Sequence, residues 1–165
     1  MALNVPLKAP LCDLPDVNVW LALLNSQHPH HVLAKAYWDG AAGQRIAFCR
    51  ITMLGLLRLS TNKTVMGGTP YTSLQAWQAY QAVMALPEVS FLAEPQGIEP
   101  AMQKLTQPEK QLQKQVQRQP QKAATPDWTD AYLAAFANLA GLRMVSFDKG
   151  FKHYSGLALL ALSTD

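Results

Sequence analysis

The chain has 165 residues, 49% of them hydrophobic and 15% charged, which excludes a disordered chain and allows one domain over residues 1–165 with a sizeable core. A net charge of +3 permits a nucleic-acid partner without demanding one. The amino-terminal MALNVPLKAP lacks the long apolar core of a signal peptide, and runs such as GLALLAL are too short to span a bilayer, so a soluble cytoplasmic protein with no membrane contact is expected.

In chain order, LCDLP (11–15) has the character of a short strand that must end or edge at Pro15, because proline cannot donate to a ladder. VNVWLALL (17–24) has that of a packed helix. Val32, Leu33, Ala36 and Tyr37 form a helical stripe ending near the glycines that follow. RIAFCR (45–50) reads as a second strand, Thr52 as the cap of the apolar helix MLGLLRLSTN, and 62–69, with Gly67 and Gly68, as a loop. Cys12 and Cys49, both in expected strands and without a CxxC pair, read as buried reduced thiols.

Thr72 or Ser73 opens a further helix with Leu74, Trp77, Val83, Met84 and Leu86 as packing candidates, stopped by Pro87, and EVSFLA (88–93) is a third strand. From 94 to 126 the composition turns to Gln, Lys and Pro, giving a Gln/Lys-rich insertion around 103–124. It reads either as a solvated helix carrying Leu112 and Val116 at i, i+4 spacing or as a flexible connection. Its basic residues Lys110, Lys114, Arg118 and Lys122 read as a solvated face. Thr125 suits a cap, Pro126 the first helical position and Gly141 the position after the helix TDAYLAAFANLA. RMVSF (143–147) is a fourth strand and 157–162 a fifth. Strands alternating with helices imply an α/β fold, a mainly parallel sheet of four to five strands covered on both faces.

Four acids stand where chemistry can gather. Asp16 and Asp148 each follow a strand, so a parallel sheet brings them to one rim; Asp127 and Asp130 are three apart at the start of one helix and share a face. Carboxylates in one pocket repel, and a divalent cation relieves the repulsion; oxygen ligands suit Mg²⁺ or Mn²⁺. The same acids also suit plainer roles at a helix amino terminus and in a turn.

Taken together and in order, PDVNVWLALL, FCRITMLGLLRLSTN and TDAYLAAFANLAGLRMVSFDKGF resemble the PIN-domain ribonucleases, and among them the VapC-like toxins of bacterial toxin–antitoxin pairs. The resemblance spans most of the chain apart from the Gln-rich segment and the ends. It implies a three-layer α/β/α sandwich, Mg²⁺- or Mn²⁺-dependent endonucleolytic cleavage of RNA, a homodimer, and a small VapB-like antitoxin whose tail enters the active site. On this resemblance Asp16, Asp130 and Asp148 bind the ion and orient water, Asn18 supports Asp16, and Asp127 lends charge or holds water. Met53 departs from the pattern, standing where the family commonly carries Glu after Thr. That departure motivates a rival reading, a catalytically impaired PIN-like module that binds RNA or protein.

Arg50, Arg58, Lys149 and Lys152 are candidates for RNA phosphate contacts, each also an ordinary surface residue. His28, His30 and His31 are expected to face solvent or cap a helix. Trp20, Trp38 and Trp77 suit packing, whereas Trp128, between Asp127 and Asp130, is the aromatic closest in sequence to the acids.

Overall fold

Alternation of apolar side chains along short strands decides which helices cover which face. The computed structural model describes residues 12–107 and 127–163. Its strands β1 (Cys12–Pro15), β2 (Arg45–Phe48), β3 (Val89–Phe91), β4 (Arg143–Ser146) and β5 (Ala158–Ala161) form one sheet in the order β3-β2-β1-β4-β5. Every pairing is parallel. Among the described residues six α-helices accompany them: α1 (Val17–Leu24), α2 (His31–Gly40), α3 (Arg50–Ser60), α4 (Ser73–Met84), α5 (Ile98–Thr106) and α6 (Trp128–Ala140). A short 3-10 helix, Lys149–His153, follows β4.

In β2, Ile46 and Phe48 pack with Trp20, Met53 and Leu56, while Ala47 between them packs with α6. In β4, Met144 joins the α6 side and Val145 the side of Val19 and Tyr37. Period-two alternation thus gives one face to α5 and α6 and the other to α1 through α4, a three-layer α/β/α sandwich. Phe48 stacks on Trp20 with ring centroids 4.0 Å apart. Small residues Ala131, Ala134, Ala135 and Ala137, all buried, let α6 lie close against the sheet.

The chain builds outward from β1 through β2 to β3, then crosses back to place β4 and β5 on the other side of β1. The strand order therefore reverses between β1 and β4, where an open α/β sheet leaves a crevice at its carboxyl rim. Asp16, immediately after β1, and Asp148, two residues after β4, open onto that crevice.

Several local expectations need correction. Thr52 is not the cap of α3: Cys49 occupies that position, and Thr52, at N3, completes a reciprocal pair in which its hydroxyl accepts from the Cys49 N–H at 3.0 Å. Cys49 therefore lies past the strand, and both thiols are free. Thr72 caps α4, but Leu74, Trp77 and Leu86 are exposed rather than packed. The first part of the Gln-rich stretch is not loop: α5 covers Ile98–Thr106, which includes Gln103. Ile98, Ala101, Met102 and Leu105 recur at i, i+3, i+4 and i+7, and this apolar stripe packs on α6. Asp127, not Thr125, caps α6. Thr125 and Pro126, together with Leu112, Val116 and the basic residues 110–122, lie outside the described residues. Among the described residues no helix is long and apolar enough to cross a membrane.

Candidate active site

Asp16 is nearly buried, 6% exposed, and caps α1: its Oδ1 accepts the Val17 N–H at 2.6 Å. Its Oδ2 accepts from the Ser146 hydroxyl at 3.0 Å. That hydroxyl also accepts from Asn18 Nδ2 at 3.2 Å and from the Asp148 N–H at 2.9 Å. Ser146 thus fills its one donor and two acceptor sites and ties the residues after β1 to those after β4. In the sequence Ser146 stands as an ordinary strand residue, and its place two residues before Asp148 at a strand end is the one signal of this role.

Asn18 supports the crevice through Ser146 rather than by touching Asp16 directly. Its Oδ1 is buried and has no hydrogen-bond partner among the described residues. A buried amide oxygen of this kind is costly unless something else satisfies it. Asp148 accepts the Gly150 N–H at 2.6 Å through Oδ1 and so caps the 3-10 helix. Asp127 Oδ1 accepts from Thr129 N at 3.0 Å and Asp130 N at 3.1 Å. The Tyr154 hydroxyl reaches the Asp127 carbonyl oxygen at 3.5 Å and helps to seat this helix end; it is a second residue of the crevice that the sequence leaves unmarked.

The four acids share one electrostatic field. Burial pushes Asp130 up to about 7, with further increments from the negative charges of Asp127, Asp16 and Asp148. Burial also raises Asp16; the Ser146 and Val17 hydrogen bonds oppose it, and Asp148 and Asp127 add to it. Tyr154 is raised by burial and by the charges of Asp130, Asp127 and Asp148. Such mutual frustration among carboxylates is what a hard cation relieves. An all-oxygen set of carboxylates plus an unsatisfied amide oxygen suits Mg²⁺ or Mn²⁺. Among the described residues no three His, Cys, Asp or Glu side chains are already arranged to grip one ion, so a cation must draw these oxygens inward or keep waters between them and itself.

A cleft of about 210 Å³ opens beside Asp16, with Thr52, Gly55 and Arg58 of α3 on one wall and Thr129 of α6 on the other. Helix α3 brings no carboxylate to this cleft. Met53 does not line it; the thioether is buried in the core with Trp20, Phe48 and Leu56, so the departure expected at Met53 lies outside the site. Arg58 lines the cleft with no carboxylate paired to it among the described residues. Arg50 lies instead over the Phe91 ring, 4.7 Å from its centroid. Lys149 and Lys152, both exposed, follow Asp148 on the 3-10 helix that it caps. The histidines form no ion site: His31 Nδ1 meets the Ala22 carbonyl at 2.7 Å, and His30 stacks on Phe147.

A parallel α/β/α sandwich with acids from both sides of its switch point defines a class of proteins that work on ligands at the sheet's carboxyl rim. The chain belongs to the PIN domain family, whose profile matches residues 14–157. It is 39% identical over 156 residues to Ribonuclease VapC41 of Mycobacterium tuberculosis, covering 91% of this chain and 98% of that protein. Ribonuclease VapC38 of the same species is 28% identical over 140 residues, covering 83% of this chain and 85% of that protein. The fold is similar to that in the crystal structure of VapBC2 from Rickettsia felis bound to a promoter DNA fragment, at 13% identity and a TM-score of 0.64, covering 92% of this chain and 99% of that one. It is also similar to VapBC-1 from nontypeable Haemophilus influenzae, at 18% identity and a TM-score of 0.59, covering 93% and 99%. At such identities these structures speak for the fold.

Proposed function

We propose that this protein is a divalent-metal-dependent endoribonuclease and the toxin of a VapBC-type toxin–antitoxin pair. The observation that carries the reading is the meeting of Asp16, Asp127, Asp130 and Asp148 at the switch point, where burial first and the neighbouring negative charges second push Asp130 up to about 7. The likeness to Ribonuclease VapC41 over nearly its whole length supports RNA as substrate. Asp16, Asp130 and Asp148 are the residues to hold the ion, Mg²⁺ or Mn²⁺, with Asp127 contributing charge. A divalent cation there supplies the Lewis acidity that phosphodiester hydrolysis needs. Ser146 and the Val17 N–H fix both oxygens of Asp16, and Asn18 steadies Ser146. Arg58, on the opposite wall, is placed to meet a phosphate oxygen, and Lys149 and Lys152 extend positive charge along the rim.

The solved VapBC complexes support a small VapB-like antitoxin as partner. The exposed apolar side chains Val32, Leu74, Trp77 and Leu86 of the α2 and α4 region give such a partner, or a second copy in a homodimer, an apolar face to cover. The cytoplasm, where cellular RNA is made and translated, is the location this reading assigns. The impaired-module reading loses the residue that motivated it, since Met53 is core; what remains for it is that α3 offers the cleft no carboxylate.

The test is cleavage of a mixed tRNA and rRNA pool in Mg²⁺ or Mn²⁺, comparing the natural chain with Asp16→Ala. Cleavage that chelator and Asp16→Ala both abolish is expected. A natural chain that binds RNA but cleaves nothing under either metal favours the non-catalytic module.

A further inference from the structure

Next to the acid crevice, on the other side of the start of α6, lies a second recess with no assigned role. It is a shallow depression of about 480 Å³ between the end of α5 and the start of α6, lined by Glu99, Met102, Gln103, Thr106, Gln107 and Trp128. Trp128 is 59% exposed, although it is the first residue of a helix whose interior face is buried. A single exposed apolar side chain is ordinary, but here the indole forms one wall of a recess that also gathers polar side chains. The two depressions meet at the first turn of α6, where Trp128 lines this recess and Thr129 lines the cleft beside Asp16.

We propose that this depression is a nucleobase subsite, in which Trp128 stacks one base of a single-stranded RNA whose backbone crosses the neighbouring carboxylate rim. The proposal rests on the ribonuclease reading for its choice of nucleic acid. Three features favour a base here. The indole offers a π-face that accepts any base. The side-chain amides of Gln103 and Gln107 are exposed and carry no hydrogen bond among the described residues, so both donor and acceptor groups are available to a base edge. Glu99 in the same depression repels phosphate, and its carboxylate accepts from exocyclic amino groups, which orients the base inward and the backbone outward. Thr106 contributes little polarity, because its hydroxyl is already donated to the Met102 carbonyl at 2.9 Å.

The experiment titrates a short single-stranded RNA into the full chain in excess chelator at fixed monovalent salt, so that binding is read without cleavage, by anisotropy of a labelled RNA and by intrinsic tryptophan fluorescence. The natural chain, Trp128→Phe and Trp128→Ala are compared, with thermal melting as the check on folding. Trp128→Ala is expected to weaken binding by roughly 5- to 150-fold, the range for loss of one stacked base. Trp128→Phe, which keeps a ring, retains most of the affinity but loses the part of the RNA-induced quenching that Trp128 supplies, leaving only what Trp20, Trp38 and Trp77 contribute. Equal binding by the natural chain and Trp128→Ala, or quenching in Trp128→Phe of the same amplitude as in the natural chain, overturns the subsite. A Trp128→Ala defect seen only in antitoxin binding, with RNA binding unchanged, also overturns it and assigns the surface to a protein. Trp128-dependent RNA binding without metal-dependent cleavage leaves the subsite standing and removes the hydrolase reading alone.

Discussion

Ser146 Oγ donates to Asp16 Oδ2 at 3.0 Å, a bond between residues 130 apart in sequence that joins the carboxyl ends of β1 and β4. The same oxygen receives Asn18 Nδ2 and the Asp148 N–H, so removing it frees three polar groups at once. Ser146→Ala is expected to lower stability by about 1–3 kcal/mol and to weaken divalent-metal affinity by roughly 10- to 100-fold. Ser146→Thr, which keeps the hydroxyl, retains most of both. Because the Ser146 bond lowers the Asp16 pKa, its loss moves the acid limb of the activity profile to higher pH. Metal titration by calorimetry and a pH–rate profile of the two variants check this.

The raised Asp130 gives a second expectation. Its folded-state pKa is about 7 against an ordinary 3.8, so the folded metal-free protein holds this proton more tightly than the unfolded chain does. The stability from Asp130 is therefore fully present below pH about 4 and is lost as pH rises through about 7, with Asp16 contributing in the same direction. Thermal melts in chelator are expected to show a decline between pH 5 and 8 that is reduced in Asp130→Asn. Divalent cation competes with this proton, so its affinity rises over the same window, and added Mg²⁺ stabilises the natural chain more at pH 8 than at pH 6. Melting curves that run parallel for the natural chain and Asp130→Asn would sink the assignment.

Met53 marks where sequence pattern stops deciding and packing begins. Strand and helix order, the parallel sheet and the convergence of Asp16, Asp130 and Asp148 on one rim followed from apolar runs and from acids placed just after strands. Which face of α3 meets the rim did not, because that helix is apolar nearly all round and its sequence carries no stripe to orient it. Packing decides it: Met53 enters the core beside Trp20 and Phe48, and Thr52, Gly55 and Arg58 face the cleft. Met53→Glu is thus expected to destabilise the protein by about 1–3 kcal/mol through a buried carboxylate, partly offset by Arg50, whose Nη1 lies 3.9 Å from the Met53 Sδ, with no gain in metal affinity. Restored or increased cleavage in that variant would show the side chain reaching the site after all.

Asp13 was equally hidden, since nothing in CDLP announces a partner 130 residues on. Parallel register sets Asp13 beside Arg143, and the guanidinium grips it through Nε at 2.8 Å and Nη2 at 2.9 Å. The Tyr37 hydroxyl adds a third bond at 2.9 Å. The carboxylate is wholly buried and Arg143 only one-third exposed, so Arg143→Met leaves an uncompensated charge inside the protein. A loss of about 3–5 kcal/mol is expected, with Arg143→Lys in between because it keeps the charge without the paired geometry. Denaturant titration measures the loss. Cleavage per folded molecule should be unchanged, since this ion pair lies below the catalytic rim.

Gly55 couples packing to the site most directly. A Cβ there would stand 3.0 Å from Val17 Cγ2 and 3.3 Å from Val17 Cβ, so α1 and α3 approach too closely for a side chain. Val17 is β-branched and stiff in its helix, and its own N–H is the one that Asp16 caps. Pressure from an alanine at 55 therefore reaches Asp16 through the first turn of α1. The helix gains roughly 1 kcal/mol of propensity from Gly→Ala, but this gain is opposed by overpacking of about 1–3 kcal/mol. Gly55→Ala is expected to be neutral to destabilising and to lower metal affinity. Shortening the opposing side chain removes the conflict, so Gly55→Ala combined with Val17→Ala should recover metal affinity lost by Gly55→Ala alone. A double-mutant cycle on metal affinity gives the coupling, expected at about 0.5–3 kcal/mol for residues in contact. Strict additivity of the two substitutions would mean that the α1–α3 contact does not transmit strain to Asp16.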